Sequence, residues 1–329
     1  MAMVASVVPS FCCLVRLLKD LLVWLTADML LHLALEGADV IVTYLPEEEQ
    51  DVKDTANLLR KKTNDSRKFQ FLPADLTKED ACQDVVQKHS DYFGGQLDTL
   101  ICNHGNQDTV SEITELDSKH WLDTFDTNIH SFFYLTKAAI PHLQKSPTKQ
   151  PTIVFNDSIN AFKGHPDLVD YTATKGAILG FARSLNAQLT GKTGIRVNCT
   201  SEANSPPFRE WMSVISWNRA PGVAPGPIWT PLMCVSYSRS SASGGYTHSR
   251  TTCSPPSMTK ERREKFGLST TVGRAGQPVE VATCFVFLAS ADSSYIRYVC
   301  CSSRSIKLLS FCLPSGQTLH PNGGVVVGS

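Results

Sequence analysis

Residues 152–198 constrain this chain more than any other stretch. The apolar run Thr152-Ile-Val-Phe155 reads as a buried strand. Residues 176–189, Gly-Ala-Ile-Leu-Gly-Phe-Ala-Arg-Ser-Leu-Asn-Ala-Gln-Leu, read as a helix, and Gly194-Ile-Arg-Val-Asn198 opens a second strand that is expected to reach Cys199. A strand, a crossover helix and a strand in this order point to an α/β domain with a mostly parallel sheet and helices on both faces.

The loop and helix between those strands carry polar residues in a chemically suggestive spacing. Tyr171 and Lys175 are four apart, which on a helix places both on one face, one turn apart. An ammonium beside a phenol favours the phenolate and draws the tyrosine pKa down from about 10. Such a tyrosine can pass a proton to or from an alcohol or carbonyl oxygen. Ser158 precedes Tyr171 by thirteen residues, at the end of the first strand, where its hydroxyl can hold the same oxygen. A lone Tyr-x-x-x-Lys is as easily a chance pair on a solvated helix; the strand, serine, loop, pair, apolar helix and strand together make chance a poor account.

The segment resembles the classical short-chain dehydrogenase/reductase family. It is nearest the glucose/ribitol-dehydrogenase-like branch, through Ser158-Ile-Asn160-Ala-Phe-Lys-Gly164, Asp170-Tyr-Thr-Ala-Thr-Lys-Gly-Ala177 and Ala224-Pro-Gly-Pro-Ile-Trp-Thr-Pro-Leu232. The resemblance covers most of residues 34–329, with interruptions. It implies a doubly wound Rossmann-type domain and an NAD- or NADP-dependent oxidoreductase acting on a secondary alcohol, carbonyl or sugar. By the same resemblance Tyr171 is the acid/base, Lys175 lowers its pKa and binds the nicotinamide ribose, Ser158 positions the substrate oxygen and Asn128 holds a water of the proton relay. Pro225, Gly226, Ile228 and Thr230 would line the nicotinamide and phosphate side, Asp75 would contact the adenine edge, and Asn103 and Gly105, where the strand beginning at Leu97 runs into a tight turn, would also bind the cofactor. The helices near 121–143 and 171–189 resemble those that pair subunits, so a homo-oligomer, a tetramer by resemblance, is expected.

Several of these positions also have plainer readings. Asp75 before Lys78-Glu-Asp could be a helix N-cap. Asn128 is a polar residue in an apolar helix expected over 121–143. The family has Asn-Asn-Ala-Gly where this chain has Cys102-Asn103-His104-Gly105. His104 is therefore expected to fill a small residue's place rather than act as a base.

The N-terminus departs from the pattern. Leu33-Ala-Leu-Glu-Gly-Ala-Asp-Val-Ile-Val-Thr43 reads as a helix end, a glycine turn and a strand. A strand and a Gly-x-x-x-Gly-x-Gly loop should precede that helix, so that backbone N–H groups approach the cofactor pyrophosphate. The matching positions fall near Lys19 to Thr26, and residues 1–36 contain no glycine. Residues 1–33 are therefore expected to be an atypical segment replacing the first strand and glycine loop, and the chain to bind NAD(P) weakly or not at all. A buried or amphipathic helix is possible over Leu17 to Leu33. Arg16, Lys19, Asp20 and Asp28 break the apolar run short of a membrane span, and the order of charge and apolar residues is wrong for a signal peptide. After the strand at 40–43 comes Tyr44, neither acidic nor basic, which leaves the choice of NAD or NADP open.

Three stretches interrupt the C-terminal half: Thr200–Val223, Cys234–Ser257 and Arg297–Ser315. The second has eight serines and no acid in 24 residues; the third also lacks any acid. Seven of the eleven cysteines lie in the N-terminal stretch or in the second and third of these. The composition fits poorly packed loops or retained intron sequence, and the three stretches are expected to project from the sheet as irregular chain. A cofactor-less pseudoenzyme, or the product of a misassembled reading frame keeping part of the fold, is the competing reading.

Composition narrows the partners. Lys plus Arg and Asp plus Glu balance at 31 each, which points to neither nucleic acid nor a membrane surface. A membrane-anchored reductase through residues 1–33 is opposed by the charges there. The cysteines form no C-x-x-C pair and no Cys/His ligand set, so no metal site is expected, and reduced thiols suit a cytoplasmic protein.

Overall fold

The structure is a computed structural model and describes residues 11–16, 23–202, 278–294, 296 and 318–319. In chain order the elements are β1 (Phe11–Arg16), α1 (Val23–Leu35), β2 (Ala38–Tyr44), α2 (Glu49–Thr63), β3 (Phe69–Pro73), α3 (Glu79–Tyr92), β4 (Thr99–Cys102) and α4 (Ser118–Phe125). There follow a π-helical turn (Asp126–His130), α5 (Ser131–Leu143), β5 (Thr152–Ser158), α6 (Asn160–Lys163), α7 (Val169–Thr193) and β6 (Arg196–Glu202). Helix α8 (Pro278–Ala289) and the short β7 (Thr318–Leu319) complete the described chain.

The strands form one sheet in the order β3-β2-β1-β4-β5-β6-β7, with every pairing parallel. The order reverses direction between β1 and β4, so the carboxyl ends of these two strands border the crevice where open α/β sheets hold ligands.

Strand alternation sorts the core into two layers. Ile41, Leu100, Cys102, Ile153, Phe155 and Val197 pack with α3, α5 and α7. Val40, Val42, Ile101 and Val154 pack on the other face with α1, α2 and α8. Helix ends follow local chemistry. Asp117 caps α4 by accepting the Lys119 backbone N–H at 2.8 Å. Gly194, at φ 75°, closes α7 in the left-handed conformation that glycine adopts without a Cβ penalty.

The C-terminal helix is tied to the sheet by a buried arginine. Arg196, 1% exposed at the start of β6, donates from Nη1 to the Leu288 carbonyl (3.1 Å), the Ser293 carbonyl (3.1 Å) and the Ser293 hydroxyl (2.6 Å), and from Nη2 to the Ser290 carbonyl (3.2 Å). These acceptors lie at the carboxyl end of α8, where a cation complements the helix dipole.

Several expectations change. The segment expected to replace the first strand forms a strand in that place: β1 lies between β2 and β4, with six residue pairs to β2 from Phe11↔Ala38 to Arg16↔Thr43. Apolar runs of many different sequences can serve as a strand of a parallel sheet covered by helices on both faces. Residues Val23 to Thr26, which match part of the family's phosphate loop, are already helical, and Leu25 is buried in the layer beneath α8. The strand-to-helix connection is therefore 17–22, outside the described residues.

The helix expected over 121–143 runs without interruption from Ser118 to Leu143, with a π turn at Asp126–His130 inside it. Strand β6 runs on through Thr200 to Glu202, so the first interruption begins three residues later than its composition suggested. The remainder of it, and the stretches 234–257 and 297–315, lie outside the described residues. No helix among the described residues is long and apolar enough to cross a membrane.

Candidate active site

The carboxyl end of β5 organises the site. The strand begins apolar and ends in Asn156, Asp157 and Ser158, all buried. Above it, α7 presents Tyr171 and Lys175 one turn apart. The Lys175 ammonium donates to the Asn156 backbone carbonyl at 2.8 Å and lies 5.4 Å from the centre of the Tyr171 ring. Lys175 is 3% exposed, while Tyr171 is only half-buried. The cation is thus fixed in the interior, while Tyr171 stays partly open to solvent. The Ser158 hydroxyl accepts the Asn160 backbone N–H at 3.2 Å, which sets its direction at the strand end.

Asn128 joins this group from the π turn. Its Oδ1 accepts the Asn106 backbone N–H at 2.6 Å, and its Nδ2 donates to the Asn106 carbonyl at 2.8 Å and to the Thr174 hydroxyl at 3.1 Å. Both ends of the amide are therefore used, and it clamps the loop after β4 to α7. A π turn widens the helix locally and re-aims its side chains. The fully buried Asn128 sits in that turn. Gly105 makes the clamp possible: a Cβ there would stand 3.3 Å from Asn128 Oδ1 and 3.8 Å from Lys175 Nζ.

The structure thus brings Gly105, Asn128, Ser158, Tyr171 and Lys175 together at the ends of β4 and β5. Asn103 lies behind them. Its Nδ2 donates to the Thr26 hydroxyl at 2.9 Å, and its Oδ1 accepts from Asn156 Nδ2 at 2.9 Å, so it ties α1 to β4 and β5 in the interior. Asp75 stands apart, exposed beyond β3. Its Oδ1 accepts the Thr77 backbone N–H at 3.0 Å and the Thr77 hydroxyl at 2.8 Å. The cap position of α3 is Lys78, so Asp75 closes a turn ahead of the helix and is not its N-cap. His104 is fully buried, with Nε2 at 2.6 Å from the Ser131 hydroxyl and its ring edge-on to Phe132. Pro225, Gly226, Ile228 and Thr230 lie outside the described residues.

Asn156, Thr174 and Thr26 escaped the sequence reading. The signal for Asn156 was present: three polar residues in a row ending an otherwise apolar strand. Thr174, whose hydroxyl also donates to the Tyr171 carbonyl at 2.7 Å, has no such signal.

Comparison with known proteins agrees with this geometry. The short chain dehydrogenase family model matches residues 25–203. A glucose and ribitol dehydrogenase of Daucus carota is 37% identical over 298 residues, covering 90% of this chain and 79% of that protein. The chain belongs to the short chain dehydrogenase family. It is accordingly an NAD(P)-dependent oxidoreductase, in the glucose/ribitol-dehydrogenase-like branch. The chloroplastic NADPH-dependent aldehyde reductase 1 of Arabidopsis thaliana is likewise 37% identical, over 299 residues, covering 90% of this chain and 80% of that protein. Among solved structures, a short-chain type dehydrogenase/reductase from Mycobacterium ulcerans superposes with a TM-score of 0.68 at 18% identity, covering 96% of this chain and 90% of its own. At that identity the likeness supports the fold alone.

Proposed function

We propose that this family member interconverts a secondary alcohol, in a polyol or sugar, with the corresponding carbonyl, and that Tyr171 is the acid/base. The observation that carries this is the placement of the Lys175 ammonium, anchored on the Asn156 carbonyl and 5.4 Å from the Tyr171 ring. In the reduction direction Tyr171 donates its hydroxyl proton to the carbonyl oxygen; in oxidation its phenolate accepts the alcohol proton. Lys175 stabilises the phenolate in either direction. Ser158 offers a hydroxyl to hold the substrate oxygen. Asn128 keeps the loop after β4 against α7, and its place beside Lys175 suits a proton path away from Tyr171.

The nicotinamide cofactor supplies or takes the hydride when bound. On its ribose side the residues fit: Gly105 leaves the crevice open beside Lys175, and a side chain there would crowd it. Asp75, exposed beyond β3, suits the adenine end. At the end of β2 the Tyr44 hydroxyl donates to Glu49 Oε2 at 2.6 Å. That bond, with burial, pushes the Tyr44 hydroxyl up to about 12. The same bond, helped by Lys53, holds the Glu49 carboxyl below its usual range. A carboxylate at this place opposes a 2′-phosphate by like charge, which supports NAD over NADP. The names of the Daucus carota and Arabidopsis thaliana relatives support a sugar, polyol or aldehyde as substrate. Exposed Leu122, Phe133 and Val169 on α4, α5 and α7 are consistent with a homo-oligomer.

The test is an absorbance assay at 340 nm of the purified chain with NADH and NADPH against a panel of aldehydes, ketones and polyols. Turnover of a polyol–carbonyl pair, faster with NADH, is expected. No turnover of any member with either cofactor would overturn the assignment.

A further inference from the structure

We infer that Asp157 is a positioning residue for the Tyr171–Lys175 pair, its carboxylate offsetting the positive charge of Lys175 and so setting how readily Tyr171 releases its proton. The inference rests on the proposed role of Tyr171. Asp157 immediately precedes Ser158 on β5 and follows Asn156, whose carbonyl takes the Lys175 ammonium. Strand alternation turns its side chain to the face of Ile153 and Phe155, beneath α7, while Asn156 turns to the opposite face and pairs with Asn103. The site therefore holds one carboxyl in the sheet directly under the helix that carries both functional groups.

That carboxyl is fully buried, and among the described residues no side chain hydrogen-bonds either oxygen. The groups that bear on it are Lys175 and Arg183 from α7, the Cys199 thiol from β6 and the Ser158 backbone N–H from its own strand. A buried carboxylate so weakly partnered is costly. Burial pushes the Asp157 carboxyl up to about 7, against the opposing pull of Lys175 first, then the Ser158 N–H and Arg183. The same surroundings act on Cys199, whose thiol is pushed up by burial and by Asp157.

The consequence is a change of charge at neutral pH beside the proton-transfer pair. With Asp157 neutral, Lys175 acts on Tyr171 undiminished and favours its phenolate. With Asp157 ionised, the carboxylate cancels part of that field, and Tyr171 holds its proton more tightly. The first state suits alcohol oxidation, which needs the phenolate; the second suits carbonyl reduction, which needs the phenol.

The test uses the protein without cofactor or substrate. Tyrosinate absorbance at 295 nm is recorded against pH, and the Tyr171 contribution is isolated by subtracting the Tyr171→Phe curve. The same subtraction is made in an Asp157→Asn background, with Asp157→Ser as the second background should the amide fail to fold. Loss of the carboxylate should lower the Tyr171 midpoint by about half a pH unit or more. In parallel, the Asp157 carboxyl carbon, assigned by its absence in either variant, should titrate near neutral pH in the ¹³C spectrum. An unmoved Tyr171 midpoint, or an Asp157 carbon that titrates in the ordinary aspartate range, overturns the inference. Neither readout needs turnover. An inactive chain with a moved midpoint leaves the coupling intact and removes only the proposed reaction; an active chain with an unmoved midpoint does the reverse.

Discussion

At the end of β5, Asn156, Asp157 and Ser158 stand buried in a row, and α7 answers them with Lys175. At the end of β1, Arg16 leads into Leu17-Leu18-Lys19-Asp20-Leu21-Leu22 and then α1, with no glycine before Gly37. Both places are strand-to-helix junctions of one parallel sheet, and the family uses both. The difference lies in what each must satisfy. A strand and a helix buried on the sheet need apolar residues at the right period, and many sequences supply them. A junction that touches a ligand needs particular atoms: an ammonium and a phenol at one, bare backbone N–H groups at the other. The β5–α7 junction carries an ammonium and a phenol, whereas the β1–α1 segment has no glycine yet keeps the strand's place between β2 and β4.

The sharpest way to break this comparison is at the retained junction. Tyr171→Phe should lower kcat/KM by roughly 10²–10⁴-fold while leaving cofactor affinity nearly unchanged, because only the proton donor is lost. Steady-state kinetics beside a cofactor titration checks this, and an active variant would remove Tyr171 from the mechanism.

The altered junction is tested by calorimetry of the whole chain with NADH and NADPH. Binding weaker than low micromolar is expected, since backbone approach to the pyrophosphate ordinarily needs glycine at a helix N-terminus. A low-micromolar constant would show that the glycine-free connection, or another loop, serves the phosphates. The two regions would then differ less than their sequences do.

The packing side of the comparison has its own probe. Arg196→Met should cost about 3 kcal/mol of unfolding free energy in a urea titration, because the carbonyls of Leu288, Ser290 and Ser293 lose a buried cationic donor. Retention of wild-type stability would mean that α8 is held by apolar contact alone.

The smallest effect is the pH dependence left by Asp157. Its folded-state pKa, about 7, lies above the ordinary aspartate value. The stability this raises is fully present below about pH 4 and is lost as pH climbs through about 7. Relative to Asp157→Asn, the wild type should therefore weaken by about 2 kcal/mol between pH 5 and pH 8. Parallel stability curves for the two proteins would place the carboxyl in contact with water.

Much of the site was legible in residues 152–198 because it is local. Tyr171 and Lys175 lie on one helix, and Ser158 ends the strand that leads to it, so spacing alone brings them near one another. Asn128, Gly105 and Thr174 meet across three elements, and the π turn that aims Asn128 leaves no mark in an apolar pattern. The first strand was illegible for the opposite reason. The family's mark for that place is its glycine loop, which this sequence lacks, and the strand there is Phe11–Arg16, paired with β2 and β4.

By itself, then, the sequence pointed to the α/β class through periodicity, to the Tyr171–Lys175 pair through spacing on one helix, with Ser158 at the end of the preceding strand, and to the family through the resemblance of its motifs. Tertiary structure alone decided that β1 takes the central place in the sheet and that Asn103 faces Thr26 rather than the crevice. It also decided that Asp157 is sealed beneath α7. Those outcomes depend on which faces meet when distant segments pack, and on how much water that packing removes, quantities that no short stretch of sequence contains.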